Sequence, residues 1–473
     1  MAPRELKQPG APVPGPAAPA GAASSGELEL RVERLTYGPD SLARDVDGRV
    51  VFLDGGLPGE TVRARPSEVR RDYVRAHVLE VIEPRAATSG GMRRSPPCPI
   101  VDRCGGCPWQ HIEYPAQLAA KLEVALREIE RAARLVPEVV LPAVGSAEWG
   151  SRHRIRLGIR RASDGRLAAL GYRARATRQV VGLESCAIAE PALVAALPLA
   201  RRIVEAEPTL VEVELLVDDR GALMLRGWSS ARSPVSAARL LALATDPVIG
   251  HGSEGGELRG LRLEAAPAPR RVSEPWSSVA GDVIQKIMLD ERSVLNVPLG
   301  VFTQVSLAGN RALVAQLIER VAPRPEMRVL DLYCGAGNFA VPLARAGATV
   351  VGVEASSEAA RAARSNGERL VPAHRGSLAI VSGDVTAVLR DLDAARPWDV
   401  VLLDPPRAGA ERAIAAIGRT GAPTIVYVSC DVASFARDAR LLARAGYRFA
   451  SFQVVDLTPQ SYRAEGIGVF RLT

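Results

Sequence analysis

Asp331-Leu332-Tyr333-Cys334-Gly335-Ala336-Gly337-Asn338-Phe339 closes an apolar strand that begins at Met327 and runs into two close glycines and a helix-like segment. A strand, a tight turn and a helix start form the local unit with which open α/β sheets hold nucleotide-type cofactors, because glycines let the backbone approach the ligand. Glu354 closes the next apolar strand, Ala348 to Val353, where a carboxylate can accept from ribose hydroxyls. Val341 and Pro342 stand where a dinucleotide fingerprint would place its third glycine, which favours S-adenosylmethionine over a dinucleotide.

Outward from this turn, strands and helices alternate from Val301 to the C-terminus. Helices are expected at Leu307 to Val321, Ser357 to Leu370 and Val432 to Ala445. Strands are expected at Leu378 to Ser382, Trp398 to Leu403, Thr424 to Val428, Arg448 to Val455 and Ile467 to Leu472. The alternation predicts a doubly wound α/β domain over residues 301–473, whose ligands sit beyond the C-terminal strand ends. Asp404-Pro405-Pro406-Arg407 and Ser429-Cys430-Asp431 terminate two of those strands. The prolines stiffen the first loop, and the helix start after Cys430 is expected to lower its thiol pKa. Glu465 is expected in a loop before the last strand.

A chain of 473 residues exceeds one core and suggests three folded units, while an apolar content of 47% is that of an ordinary globular protein. A formal charge of +7 favours an anionic macromolecular partner. No apolar run approaches the roughly 20 residues of a membrane helix and the N-terminus lacks the pattern of a secretory signal, so a cytoplasmic chain with no membrane partner is expected, as a monomer. Residues 1–26, rich in Pro, Ala and Gly, are expected to be a disordered tail.

Residues 27–85 read as evenly spaced short strands, Glu29 to Leu35, Arg49 to Leu53, Glu60 to Pro66 and Tyr73 to Val81, predicting a small β-barrel. Arg63, Arg65, Arg70, Arg71 and Arg75 on its later strands suggest a nucleic-acid surface. Gly48-Arg49-Val50-Val51-Phe52 and Leu57-Pro58-Gly59-Glu60 resemble phrases of the TRAM domain, with Gly38-Pro39-Asp40 as a departure.

Residues 86–300 are expected to form a mixed middle domain. Cys98, Cys104 and Cys107, with Gly105 and Gly106 between the last two, are placed to ligate a soft metal centre. Two site chemistries compete: zinc held by these thiols with His111, or an iron–sulfur cluster whose fourth ligand is the distant Cys186. Pro115 to Val136 is an amphipathic helix with a structural role. Arg152, Arg154, Arg156 and Arg160 alternate with Ile155, Leu157 and Ile159, and Asp164 is the only acid between Ser151 and Leu183. A one-sign strand face is expected to contact an RNA or DNA backbone. Ser229 to Leu295 is expected to supply further strands and loops.

Taken together, Cys98 with Cys104-Gly-Gly-Cys107, Cys186, Phe302-Thr303-Gln304, the 331–339 turn, Asp404-Pro-Pro-Arg407, Ser429-Cys430-Asp431 and Glu465 resemble the S-adenosylmethionine-dependent RNA 5-methyluridine methyltransferases. The similar branch carries a TRAM domain and a [4Fe-4S] cluster. The resemblance implies a Rossmann-like class I methyltransferase domain after a TRAM/OB-like barrel and a cluster-bearing middle domain. It implies that Cys98, Cys104, Cys107 and Cys186 ligate the cluster, and that Gln304, Tyr333, Asn338, Glu354, Asp384 and Asp404 bind S-adenosylmethionine. It also implies Cys430 as nucleophile and Glu465 as base, acting on uridine C5 in RNA, with rRNA favoured over tRNA. Ser306, Val432 and Arg463 depart from the family's Asn, Pro and His. The rival is an RNA-binding or assembly factor that has lost catalysis through such departures.

Overall fold

Alternating burial along short strands closes the first unit. The computed structural model describes residues 26–84, 92–175, 177–245, 257–267, 276–370, 376–391 and 397–473; the expected tail lies outside them except for Gly26. The chain groups into two compact units, one comprising residues up to Arg34 with Asp40–Ala86, the other Leu35–Pro39 with Ala87–Thr473.

In the first unit, β1 (Leu28–Leu35), β2 (Ser41–Arg44), β3 (Val50–Asp54), β4 (Thr61–Val69) and β5 (Tyr73–Glu83) form a closed barrel in the order β1-β2-β3-β5-β4. Closure removes the exposed edges that an open sheet of this size would leave. Leu30, Val32, Val51, Leu53, Val62, Ala64, Val74 and Ala76 alternate into its core. The sequence reading missed β2, whose four residues lie between turn signals and are too short to show a period. The arginines do not form a one-sign surface: Arg63 and Arg65 pair with Glu27, Arg70 pairs with Glu68, and Arg75 pairs with Asp40 and Glu68.

The second unit is built on two sheets. Helix α1 (Tyr114–Ala133) and the two-residue strand β6 (Val139–Val140) come first in the chain. A seven-stranded sheet then uses β7 (Arg154–Arg161), β8 (Leu167–Arg173), β9 (Val180–Gly182), β10 (Leu210–Val217), β11 (Leu223–Ser229), β12 (Leu258–Ala265) and β13 (Ser277–Gly281), in the order β13-β12-β11-β10-β7-β8-β9. Helices α2 (Pro191–Ala195), α3 (Leu197–Ala206) and α4 (Ala237–Thr245) supply further cover to its apolar side chains. Ile155 and Leu157 enter its core as expected. The cation ladder opposite them is answered by acids from β10: Arg156 pairs with Glu212, and Arg154 lies 3.8 Å from Glu214. The count of acids within one segment could not reveal partners supplied by a neighbouring strand.

A hairpin of β14 (Ile284–Met288) and β15 (Val294–Pro298) precedes α5 (Leu307–Val321). The eight-stranded sheet then takes β16 (Arg328–Leu332), α6 (Ala340–Arg345), β17 (Thr349–Glu354), α7 (Ser357–Glu368), β18 (Ser377–Ser382), α8 (Val385–Asp391), β19 (Val400–Leu403), α9 (Glu411–Arg419), β20 (Thr424–Ser429), α10 (Val432–Arg444), β21 (Tyr447–Val455) and β22 (Glu465–Leu472). Its order is β18-β17-β16-β19-β20-β22-β21-β6. Strands β16 to β20 run parallel, and β22 enters antiparallel beside β20. Core clusters on this sheet bury its central strands, which explains their near-continuous apolar runs. Helix α1 contributes Ala125, Ile129 and Ala133 to one of these clusters, and β6 pairs with β21. This stretch of the expected middle domain thus packs on the eight-stranded sheet.

Candidate active site

Strand ends position the site. After β16 the chain takes left-handed conformations at Tyr333 (φ 65°), Gly335 (φ 57°) and Gly337 (φ 96°). A Cβ at Gly337 would lie 2.9 Å from the Val341 side chain, so the turn needs glycine there for space as well as conformation. Glu354, at the end of β17, ties the turn down: one carboxylate oxygen accepts from Gly335 N at 3.0 Å, the other from Ser356 N at 2.7 Å. A carboxylate has lone pairs to spare after two such bonds and can still take ribose hydroxyls. Asn338 exchanges reciprocal side-chain hydrogen bonds of 2.8 and 2.9 Å with Asn310 of α5. Asp384 accepts from Ala387 N at 3.0 Å at the start of α8, and Gln304 lies half-buried before α5.

Three residues in this region had no role assigned from sequence. Asn310 and Asn366 are buried amides; Asn366 donates to Ala336 O at 3.0 Å and accepts from Asn296 N at 2.9 Å, joining the glycine turn to β15. Both lie on helices at positions where a polar residue reads as surface. Asp331 is fully buried, and its carboxyl oxygens make no hydrogen bond, although the Ala340 N–H faces it. Burial, then the neighbouring Asp404, push its pKa well up. Its signal was present as an acid inside an otherwise apolar strand.

Cys430 and Glu465 meet through strand register. Ser429, the last residue of β20, pairs with Gly466 of β22, so the next positions along the two strands are Cys430 and Glu465. Glu465 is the first residue of β22, opposite Val455 of β21, and does not sit in a loop as expected. Gly466 is required here because a Cβ would lie 2.9 Å from the Phe452 ring.

The Cys430 thiol is pushed up to about 11, first by burial and then by the negative charges of Glu465 and Asp404; Arg407 opposes the shift by charge and by a hydrogen bond. This reverses the expected lowering. The helix start is present, with Asp431 capping Ser434 N, but two carboxylates and desolvation outweigh its partial charge. Glu465 rises to about 8, by burial first and then by Asp404, against Arg407. Asp404 rises to about 7 through burial alone.

The departures from the resembled motif have structural uses. Ser306 is fully buried and caps α5 by accepting from Gly309 N at 3.0 Å. Val432 occupies the first helical position of α10, where its N–H donates to Tyr37 Oη at 3.1 Å, a bond that Pro could not make. Arg463 bonds through its backbone, accepting from Thr458 Oγ1 and donating to Ser461 Oγ, while its guanidinium lies 5.2 Å from the Tyr462 ring centre.

Cys98, Cys104, Cys107 and Cys186 line one cavity together with Ile100, Gln110 and Tyr172. Burial raises Cys107 to about 12 and also raises Cys104; the charges of the other thiols add to the shift, while Arg152 opposes it. His111 is not part of the lining; its ring is buried, with Nε2 unpartnered, and burial lowers its pKa to about 4.

A family model described as tRNA (Uracil-5-)-methyltransferase matches residues 282–466, and a TRAM domain model matches residues 26–79. A 23S rRNA (uracil(1939)-C(5))-methyltransferase of Pseudomonas aeruginosa is 33% identical, covering 98% of this chain and 97% of its own. One from Shewanella halifaxensis is 31% identical over 95% of this chain and 96% of its own. The chain belongs to the S-adenosylmethionine-dependent RNA uracil-C5-methyltransferases. The fold agrees: a Pyrococcus abyssi tRNA (uracil-54, C5)-methyltransferase solved with S-adenosyl-L-homocysteine superposes with a TM-score of 0.66, at 20% identity, over 94% of this chain and 100% of that one. For a methyltransferase of this family the N-terminal barrel is the TRAM domain, and the eight-stranded sheet is the class I methyltransferase domain. Among the described residues, no helix is long and apolar enough to cross a membrane.

Proposed function

We propose that this methyltransferase modifies C5 of one uridine in 23S rRNA, with Cys430 as nucleophile and Glu465 as base. The observation that carries the roles is the β20–β22 register, which brings a thiol and a carboxyl to one sheet end beside Asp404 and the cofactor turn. Uracil C5 is too weakly nucleophilic to be methylated directly. Addition of the Cys430 thiolate to C6 makes C5 an enolate-like carbon. S-adenosylmethionine supplies the methyl group. Glu465 then takes the C5 proton, the C5–C6 double bond re-forms, and the C6–S bond breaks to free the thiolate. Arg407 lowers the cost of the thiolate. Tyr333, Asn338, Glu354, Asp384 and Asp404 are assigned to cofactor binding on their places at or just after the sheet's strand ends, and Gln304 on the resemblance. The target must leave its stack to expose C5 and C6, so an unpaired or flipped uridine is expected.

The rRNA substrate is favoured over tRNA because relatives matched along nearly the whole chain carry that activity in their names. A cytoplasmic monomer is the form in which we expect it to act.

For the cysteine cavity we favour a [4Fe-4S] cluster. A single zinc ion, with Zn–S bonds of about 2.3 Å, draws its ligands into one tight tetrahedron. Four thiols around one cavity would serve as ligands of the larger group, and the charge of Arg152 acts on Cys104 and Cys107. The cluster's part would be to brace this segment.

The deciding experiment incubates the protein with S-adenosylmethionine and a panel of 23S rRNA fragments and tRNA transcripts, then repeats it with 5-fluorouridine RNA. Methyl label at C5 of one rRNA uridine is expected. Fluorine cannot leave as a proton, so a denaturation-resistant adduct should form and be absent in Cys430→Ala. Label confined to tRNA overturns the substrate, and label on another base overturns the reaction.

A further inference from the structure

The loop that delivers Glu465, Asp456 to Ala464 between β21 and β22, is held chiefly through one residue. Gln460 is fully buried and left-handed, with φ 68°. A non-glycine residue in that conformation costs on the order of 1–3 kcal/mol and persists where its surroundings over-determine it. Glycine would make the turn more cheaply, so the side chain itself has a use. Every polar group of Gln460 is engaged. Its N–H donates to Gln117 Oε1 at 2.9 Å, and its carbonyl accepts from Trp109 N at 3.0 Å. Its side-chain oxygen accepts from Gln117 Nε2 at 2.9 Å and Arg94 Nη2 at 2.8 Å, and its Nε2 donates to Glu148 at 3.3 Å. Glutamate offers no donor for the last contact, and asparagine is one methylene shorter.

The rest of the loop is tied to the same support. Lys121 of α1 donates to Thr458 O at 3.1 Å, and Thr458 Oγ1 donates to Arg463 O at 2.8 Å, two residues before the base. Helix α1 and the segment just after Cys107 therefore grip the loop from outside the reacting groups. A general base must lie within hydrogen-bond reach of the proton it removes, and a 1 Å misplacement can cost about 100-fold.

We propose that Gln460 is a positioning residue for elimination, holding the loop against Gln117 and Trp109 so that the Glu465 carboxyl stays beside the Cys430 adduct. This rests on the reading of Glu465 as base. Addition of the thiolate and methyl transfer precede proton removal and do not need that carboxyl placed so tightly.

The test uses the full-length protein with Gln460→Met, Gln117→Met and Glu465→Gln, the first two keeping side-chain length while removing the amide. Adduct is followed on denaturing gels with ordinary and with 5-fluorouridine RNA. Gln460→Met and Gln117→Met are expected to trap 5-fluorouridine RNA at the wild-type rate. With ordinary uridine they should release product about 10- to 100-fold more slowly and accumulate adduct, as Glu465→Gln does. Wild-type release by the two Met variants, with accumulation in Glu465→Gln, overturns the proposal and leaves the base assignment standing. Equal slowing of trapping and release shows general structural damage and also overturns it. No accumulation in Glu465→Gln overturns the base assignment and the proposal together. Should Gln460→Met fail to fold, Gln117→Met decides alone.

Discussion

Ser429 pairs with Gly466 across β20 and β22, and this antiparallel step places Cys430 next to Glu465 although 35 residues separate them in the chain. A parallel final strand would have delivered its carboxyl at the opposite end of the sheet. Gly466→Ala should disturb both structure and chemistry, because the added Cβ would meet the buried Phe452 ring at 2.9 Å. We expect a loss of about 1–3 kcal/mol in thermal or urea unfolding, with slowed product release.

The carboxyl and thiol shifts fix the direction of the pH response. Burial and like charge hold Glu465 near 8 and Cys430 near 11, so both required ionised forms increase as pH rises. Single-turnover product release should therefore climb from pH 6 through pH 8. In the proposed complex the S-adenosylmethionine sulfonium would favour the ionised carboxylates and should move the carboxyl inflection below 8. In Glu465→Gln that inflection should vanish while the rise due to Cys430 persists. A flat profile for the wild-type protein would remove both groups from the rate.

The same shift predicts a stability signature. Glu465 moves from an ordinary value of 4.5 to about 8 on folding, so between those values the folded chain holds a proton that the unfolded chain has released. Its contribution to stability is complete below about 4.5 and is lost as pH rises through 8. Asp404 acts with the same sign between 3.8 and about 7. Glu465→Gln cannot ionise, and its Tm should match wild type at pH 4.5 yet exceed it on the order of 2 °C at pH 8.5. Calorimetry of the unliganded proteins checks this.

What could be read from the sequence followed from how local each signal is. The glycine turn, the Asp404 loop and Cys430 are contiguous phrases at strand ends, and the doubly wound order follows from their alternation with helices. The acid partners of Arg154 and Arg156 were hidden because β10 supplies Glu212 and Glu214 from more than fifty residues away. The thiol shift failed because Glu465 and Asp404 reach Cys430 only through sheet register. Helix α1 showed its apolar stripe, but the contacts of Gln117 and Lys121 lie with a loop more than 300 residues downstream.

For the cysteine cavity, Cys186→Ser and Cys104→Ser should each lose iron, sulfide and visible absorbance after anaerobic purification, whereas His111→Ala should keep them, since His111 does not line the cavity. Wild-type protein should carry iron and sulfide in about 4:4 ratio. Stoichiometric zinc without colour, lost in His111→Ala, would reverse the assignment.

Lys121 and Asp456 form a buried ion pair at 2.6 Å, with side-chain exposures of 1% and 0%. Burial draws the lysine pKa down while Asp456 holds it up, so the charge survives only through its partner. Removing one member strands the other without water. Lys121→Met should therefore cost about 3–5 kcal/mol, and Asp456→Leu a similar amount. The double variant should recover much of that loss, because two apolar side chains of similar volume leave no unpaired charge. Urea midpoints of the three variants give the comparison. The methylation assay should separate folding from function: the double variant no longer holds Thr458 O, which accepts from Lys121 at 3.1 Å, so it should regain stability without regaining product release. Full recovery of both would show that the pair serves the fold alone.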